Sequence, residues 1–417
     1  MHPWRLLSIP LLVGLFVALP VYWAYPDDLS FWRATGIVLG WAGSGLLLAS
    51  LLLMLREVRL ASWLGGIERM TGWHHWTGLA GYLLLLLQPL ALAAAAWIES
   101  SPLAWQLLSP FAQNWPVWAG WAALLFLMGG LCTTFASRLR YPLWRWLHGL
   151  LGMGVLVGCV HVLLLGIDAG AVFAILAALL MLVWRLIRVD AGAAAKPYVV
   201  QSVRRVAEAM VEITLAPLVR GMPAEAGQFV LVAFFWGPRY RGCGEYHPFT
   251  ISAIDKDQQF RIGVKALGDC TRRMQALEPG VEARVQGPFG NFLLERPAKP
   301  QLWVAGGIGI TPFLACLRNA RVEHATRLLY LYRSEADAAF RDELETLAAT
   351  NASFSLEARA TGDAIPDLAA ILPGADELAG HECYLCGPPG LLDAVGHVLQ
   401  SRGVPAAQIH FERFDFR

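Results

Sequence analysis

Before residue 190 the chain contains no lysine at all, yet the same stretch holds 15 of the 17 tryptophans. A half so poor in charge cannot present an ordinary water-facing surface, which excludes a soluble globular domain there and points to a membrane bundle. The chain also lacks a charge surplus. A formal net charge of +1 gives no electrostatic footprint for nucleic acid. Its seven cysteines are scattered rather than grouped, which excludes a disulfide framework. The one close pair, Cys383 and Cys386, sits at an expected strand end instead of opening a helix, so its CxxC spacing is read as incidental. The 227 residues after 190 suffice for two ordinary domains.

Crossing a hydrocarbon core of about 30 Å takes roughly 20 apolar residues in a helix. Six runs meet that length: Leu6–Tyr25, Gly36–Leu55, His74–Trp97, Trp115–Ala136, Trp146–Gly166 and Ala169–Ile187. The first could pass for a signal peptide, but it ends in Tyr-Trp-Ala-Tyr with no convincing small-residue cleavage site. Arg5, Arg56, Arg59, Arg69, Arg138, Arg140, Arg145, Arg185 and Arg188 all flank one side of these spans. The alternate loops carry Asp27, Asp28, Glu99 and Asp168 against Arg33 alone. The positive-inside rule then puts both termini and the second half in the cytoplasm, in a bacterial inner membrane with lipid around the first half.

Ionisable side chains inside a span are costly and mark function. His74 opens the third run, and His148 and His161 lie in the fifth. His74 and His148 are expected at similar depth near the inner face, where two neutral imidazoles from facing helices form a natural axial pair for a b-type haem. His161 follows His148 by 13 residues, roughly 20 Å along a helix, near the outer leaflet. That offset rotates it off the His148 face, and Gly152, Gly154 and Gly158 are candidates for re-aiming the helix.

On His74-His75-Trp76-Thr77-Gly78 and the run from Tyr141 to His148, the chain resembles the ferric reductase/NADPH oxidase superfamily. The resemblance implies two stacked haems, with histidine pairs spaced 14 apart on the third helix and 13 apart on the fifth. His148 and His161 match the fifth-helix pair, and His74 rather than His75 matches the register on the third. Fourteen residues after His74, however, stands Gln88, followed by Pro89. An amide is a poor haem ligand, so an outer haem has His161 as its one histidine.

Short β runs then begin near Lys196: Val199–Val206, Val211–Leu215, Phe229–Phe235, Phe260–Lys265 and Val281–Gln286, spaced as in a small antiparallel barrel. Among them lies His247-Pro248-Phe249-Thr250-Ile251-Ser252. In an extended run Phe249 and Ile251 face one way, Thr250 and Ser252 the other, so one side can cover an isoalloxazine while hydroxyls reach its polar edge. Lys265, Gly268 and Thr271 lead into a helix-like stretch whose N-terminus suits a pyrophosphate. The two motifs resemble the FAD domain of ferredoxin reductase-like proteins.

Leu302-Trp303-Val304-Ala305 is a buried-strand run that Gly306-Gly307-Ile308-Gly309-Ile310-Thr311-Pro312 turns into a helix. No third glycine completes the dinucleotide fingerprint, but alternating strands and helices indicate a doubly wound parallel sheet. Arg333 and Ser334 follow the second strand, where arginine can pair a 2′-phosphate and favours NADPH; Glu335 beside them could meet a 2′-hydroxyl instead, leaving NADH open. Cys386-Gly387-Pro388-Pro389 resembles the family's nicotinamide-side motif, and the closing Phe411–Arg417 resembles its aromatic tail. By position Phe414 is the ring over the flavin, with Phe416 as alternative.

The expected fold is therefore a six-helix transmembrane haem domain (1–190), an antiparallel β-barrel FAD domain (196–296) and an α/β NAD(P)-binding domain (297–417). The expected function is electron transfer from cytoplasmic NAD(P)H through FAD and b-type haem to oxygen, ferric or cupric ion outside. An electron-donor subunit serving a periplasmic reductase protein is the alternative. Cys386, Phe414 and Thr250 are the expected catalytic residues.

Overall fold

A computed structural model describes residues 3–25, 29–134, 139, 141–225, 227–235, 237, 239–293, 298–319, 322–364 and 366–412. The chain divides into two compact units, Met1–Ala193 and Ala194–Arg417.

Among its described residues the first unit is built of helices without strands: α1 (Pro3–Ala24), α2 (Phe31–Leu53), α3 (Val58–Leu64), α4 (Ile67–Glu99), α5 (Ser101–Leu108), α6 (Trp115–Thr134), α7 (Tyr141–Leu164) and α8 (Asp168–Trp184). Five of these contain described stretches long and apolar enough to cross a membrane, and Leu7–Trp23 in α1 forms a shorter apolar helix. The expected six spans correspond to α1, α2, α4, α6, α7 and α8. In an apolar solvent only a helix satisfies its own backbone, which is why each run becomes one. The short helices α3 and α5 are additions. Glu57 caps α3 by accepting from Leu60 N at 2.8 Å. The third span begins earlier than expected, at Ile67, so His74 sits within α4 rather than at its mouth.

Small residues let these helices approach. A Cβ on Gly43 of α2 would meet Gly81 O of α4 at 3.0 Å, and one on Gly154 of α7 would meet Leu127 Cγ of α6 at 2.8 Å. No bulge re-aims α7, which is α-helical from end to end; a π-helical turn instead extends α8 over Arg185–Asp190.

The second unit opens with a closed barrel of β1 (Lys196–Ala207), β2 (Met210–Pro217), β3 (Phe229–Phe234), β4 (His247–Ile254), β5 (Phe260–Lys265) and β6 (Glu282–Phe289), in the order β1-β2-β5-β4-β3-β6. The short helix α9 (Asp269–Met274) follows β5. Inward residues such as Val230, Val232, Ile251, Ile262 and Val285 are fully buried and fill the barrel. Burying each stabilises the fold by about 1.5–3 kcal/mol relative to exposure.

A parallel sheet completes the unit: β7 (Gln301–Gly306), β8 (Thr326–Tyr332), β9 (Phe354–Ala360), β10 (Glu382–Cys386) and β11 (Ile409–Glu412), ordered β11-β10-β7-β8-β9. Helices α10 (Thr311–Asn319), α11 (Arg341–Thr350), α12 (Leu368–Ile371), α13 (Ala375–Leu378) and α14 (Pro389–Ser401) connect the strands. The strand order reverses between β7 and β10, and such a switch point opens a crevice at the strands' carboxyl ends. Trp303 on β7 is fully buried and stacks on Phe313 of α10 at 5.1 Å, fixing that helix against the sheet.

Candidate functional site

His74 and His148 each stand seven residues into their helices, on α4 and α7. Their ring centroids are 6.3 Å apart. That separation leaves room for one metal that both rings could reach. His75 is exposed on α4, so the inward ring is that of His74.

The Nδ1 atoms set the tautomers. His74 Nδ1 lies 2.9 Å from Ser50 O and 2.8 Å from Ser50 Oγ. A carbonyl only accepts, so Nδ1 carries the proton and Nε2 keeps its lone pair. His148 Nδ1 lies 3.1 Å from Thr134 Oγ1, whose own hydrogen points to Gly130 O at 3.0 Å, so the hydroxyl accepts from the imidazole. His161 Nδ1 donates to Pro116 O at 2.7 Å. All three rings thus present an unprotonated Nε2, the form a metal binds, held by the kind of outer partner that orients metal ligands.

Gln88 is turned elsewhere. A Cβ on Gly40 of α2 would meet its Nε2 at 2.6 Å, so the amide fills the notch that Gly40 leaves. His161, by contrast, lies against Gly120 of α6, where a Cβ would meet the ring at 3.0 Å.

On the flavin side, β4 alternates as expected. Phe249 and Ile251 belong to the barrel core, while Thr250 and Ser252 face the other way. Phe249 is only 7% exposed, which leaves little of its ring to stack on a cofactor. Pro248 lies opposite Leu231 of β3. Burial pushes the His247 imidazole below its usual range, keeping it neutral. Ser252 Oγ donates to Glu212 Oε1 at 2.9 Å. Thr250 Oγ1 is buried with no hydrogen-bond partner among the described residues. Such an orphan costs about 1–3 kcal/mol unless a bound group satisfies it, and an isoalloxazine edge fits that need. Gly268 precedes α9, where Thr271 Oγ1 accepts from Leu267 N and Gly268 N, each at 2.9 Å. The hydroxyl of Thr271 therefore shapes this turn from within.

On the nicotinamide side, the turns after β7 and β10 converge. A Cβ on Gly309 would meet Cys386 O at 2.2 Å, and one on Gly306 would meet Pro388 Cδ at 2.8 Å, so only glycine lets these loops touch. Gly387 Cα approaches Gly306 in turn. Gly307 adopts φ +54°, and a Cβ there would lie 3.5 Å from Lys265 Nζ, placing a cation beside the turn. Thr311 and Pro312 are the first two residues of α10, and Thr311 Oγ1 donates back to Ile308 O at 3.0 Å. Arg333 pairs with Asp363 across the protein surface, and Ser334 Oγ donates to Asp337 Oδ2 at 2.8 Å.

Cys386 is fully buried at the end of β10, with its Sγ 3.8 Å from Glu412 Oε2. Glu412, itself buried at the end of β11, was not singled out by sequence reasoning. Its signal was an acidic residue inside a closing aromatic strand. Cys383 and Cys386 point into cores on opposite faces of the sheet, as an incidental CxxC should. Phe414 and Phe416 lie outside the described residues.

Arg318 of α10 ties sheet to barrel. Its guanidinium donates to Glu343 at 2.6 and 2.7 Å and to Glu212 at 2.6 Å. Burial pushes the Glu212 carboxyl up, but the hydrogen bonds from Arg318 and Arg204 outweigh it and hold the group below the usual carboxylate range.

Three family models match in sequence: the ferric reductase like transmembrane component over residues 39–159, an FAD-binding domain over 196–288 and the oxidoreductase NAD-binding domain over 303–397. Relatives include the toluate 1,2-dioxygenase electron transfer component of Pseudomonas putida, 30% identical over 42% of this chain and 55% of its own length. A flavohemoprotein of Pseudomonas putida is 32% identical over 49% of this chain and 55% of its own. Ferredoxin--NADP reductase B of Sorangium cellulosum is 31% identical over 39% of this chain and 75% of its own. The chain spans about half the length of the first two. The order of a ferric-reductase-type transmembrane domain, an FAD-binding domain and an oxidoreductase NAD-binding domain is the architecture of the ferric reductase/NADPH oxidase superfamily.

Proposed function

We propose that the protein carries electrons from cytoplasmic NADPH through FAD to a b-type haem and onward to a small oxidant, oxygen or a ferric or cupric ion, outside the membrane. The observation that carries this reading is the common state of His74, His148 and His161. Each has Nδ1 pinned by another helix and Nε2 left as a lone-pair donor inside an apolar bundle. Bound FAD supplies the exchange between a hydride and single electrons, and haem supplies one-electron chemistry in the apolar layer.

The chain's own residues divide the remaining work. His74 and His148 would hold the inner haem and His161 an outer one. Ser50 and Thr134 fix the orientation and tautomer of the inner rings. Thr250 would donate to the flavin's polar edge, with Lys265, Gly268 and Thr271 toward its phosphates. Gly306, Gly307, Gly309, Thr311 and Pro312 form the nucleotide turn, and Gly387 and Pro388 close it from β10. Cys386 and Glu412 place a polarisable thiol beside a carboxylate where the nicotinamide would approach. Phe414 would cover the flavin until the nicotinamide displaces it. The loop arginines favour an orientation with this module in the cytoplasm of a bacterial inner-membrane protein.

The test is an acceptor screen on purified protein reduced with NADPH, following superoxide and ferrous iron separately. Haem reduction by NADPH, with either product formed, is expected. Protein that holds flavin yet never reduces a haem under anaerobic NADPH would end this reading.

A further inference from the structure

Arg318 lies in the last turn of α10, seven residues after Thr311, so the two side chains leave the same face of that helix. The barrel meets this face at both residues. Gly263 on β5 has no side chain, and a Cβ there would lie 2.8 Å from Thr311 Cγ2 and 3.0 Å from Ile308 Cδ1. A glycine inside a strand often marks such a close approach. Glu212, which stands opposite Gly263 across β2 and β5, accepts from Arg318 Nη1 at 2.6 Å. The same nitrogen donates to Ser252 O on β4 at 3.2 Å, and Ser252 Oγ donates to the Glu212 oxygen they share. Behind Arg318, the Glu343 carboxylate of α11 takes Nε and Nη2 in a two-point grip. The Phe340 ring covers the guanidinium at 5.3 Å, and the Arg318 side chain is 11% exposed.

We propose that Arg318 is a positioning residue for hydride transfer, clamping α10 to the barrel so that the nucleotide turn stands at a fixed distance from the flavin strand. The proposal rests on the FAD and NADPH reading above. Two attachments define the spacing. Gly263 sets how near the start of α10 can come, and Arg318 draws its end onto β2 and β4. Thr311 and Pro312 open that helix at the turn assigned to the nucleotide. Thr250, the hydroxyl assigned to the flavin, lies two residues before Ser252 on the same face of β4. One held side chain thus links the helix of the nucleotide turn to the strand of the flavin contact. In the step it serves, the nicotinamide gives up two electrons with one proton as a hydride and the isoalloxazine takes them up, so no further reductant is consumed. Each guanidinium nitrogen is engaged with protein, so Arg318 acts through α10 and not on either ring. Misplacing reacting partners by about 1 Å can cost on the order of a hundredfold in rate. Lysine would keep the charge but has no planar fork to hold Glu343 and Glu212 together.

Stopped-flow reduction of the flavin by NADPH, on the purified full-length protein, tests the clamp. Arg318→Lys and Gly263→Ala should each slow the rate at saturating NADPH roughly ten- to a hundredfold. Flavin content, reduction by dithionite and affinity for 2′,5′-ADP should stay as in the wild type, because neither residue is assigned to a cofactor. The long-wavelength charge-transfer band that forms when a nicotinamide stacks on a flavin should weaken in both variants. A wild-type saturating rate in Arg318→Lys, with full flavin and a cooperative melt, overturns the proposal. So does a loss of rate that more NADPH restores. Should Arg318→Lys not fold, Gly263→Ala decides alone by the same two criteria, since its added methyl crowds Thr311 and Ile308 without altering any charge. A wild type whose flavin NADPH leaves oxidised removes the electron-transfer reading and this one with it. Variants that match a wild type NADPH does reduce remove this one only.

Discussion

His161 donates its Nδ1 proton to the carbonyl of Pro116 at 2.7 Å, and the absence of a side chain on Gly120 leaves room for the ring to do so. The same fifth-span helix anchors His148 on Thr134 at the other end of α6. Two histidines on α7 therefore owe their metal-ready form to one neighbouring helix.

The inner pair should bind one haem between them. His74→Ala and His148→Ala should each abolish the same low-spin b-type signal in optical and pyridine haemochrome spectra. Thr134→Val removes the acceptor for His148 and should weaken haem retention roughly ten- to a hundredfold, as loss of an outer partner typically does. Full haem content with a low-spin spectrum in either alanine variant would break the pairing.

The outer site should differ, because Gln88 packs its amide on Gly40 while His161 is anchored on α6. A second haem, with His161 as its one strong ligand, should be partly high-spin and open to small ligands. Haem stoichiometry with electron paramagnetic resonance decides. Two fully low-spin bis-histidine haems per chain would refute this.

Cofactor choice should turn on Arg333. Its partner Asp363 is largely exposed, as Arg333 is itself, and an exposed ion pair is worth about 0–1 kcal/mol. A charge-assisted contact to a 2′-phosphate is worth about 1.5–3 kcal/mol, so the phosphate should win the guanidinium from Asp363. Arg333→Ala should lower kcat/KM for NADPH roughly ten- to a hundredfold, and Asp363→Asn should raise it. Unchanged NADPH kinetics in Arg333→Ala, or a wild-type preference for NADH, contradicts the assignment.

The Arg318–Glu212 pair should make the flavin–nucleotide unit acid-sensitive. Glu212 has its folded pKa depressed, so its contribution is present above the unfolded value of about 4.3 and is lost as pH falls through the folded one. Melting temperature should drop below about pH 5 in the wild type and less steeply in Glu212→Gln. Arg318→Met leaves a buried carboxylate with Arg204 and the Ser252 hydroxyl as its remaining partners and should cost about 3 kcal/mol at neutral pH. A neutral-pH melt unchanged by Arg318→Met would show that the pair does not hold barrel to sheet.

The sequence by itself determined the membrane spans, the barrel and the parallel sheet, because hydropathy over 20 residues and strand alternation are local properties. It also determined which histidines stand in apolar runs, and the glycine-rich turn at the end of β7. What it could not contain was partnership between distant residues. Ser50 meets His74 across 24 positions and Pro116 meets His161 across 45, and those contacts decide which ring nitrogen is left to bind a metal. Gln88 looked like a vacancy opposite His161, but packing on Gly40 gives it a place of its own. Glu412 reached Cys386 only because β11 lies parallel to β10, and Thr250 became an orphan only once the barrel closed around it. Hydrogen bonds reach about 3 Å and depend on which helix or strand packs alongside, so the sites' chemistry was settled by tertiary structure.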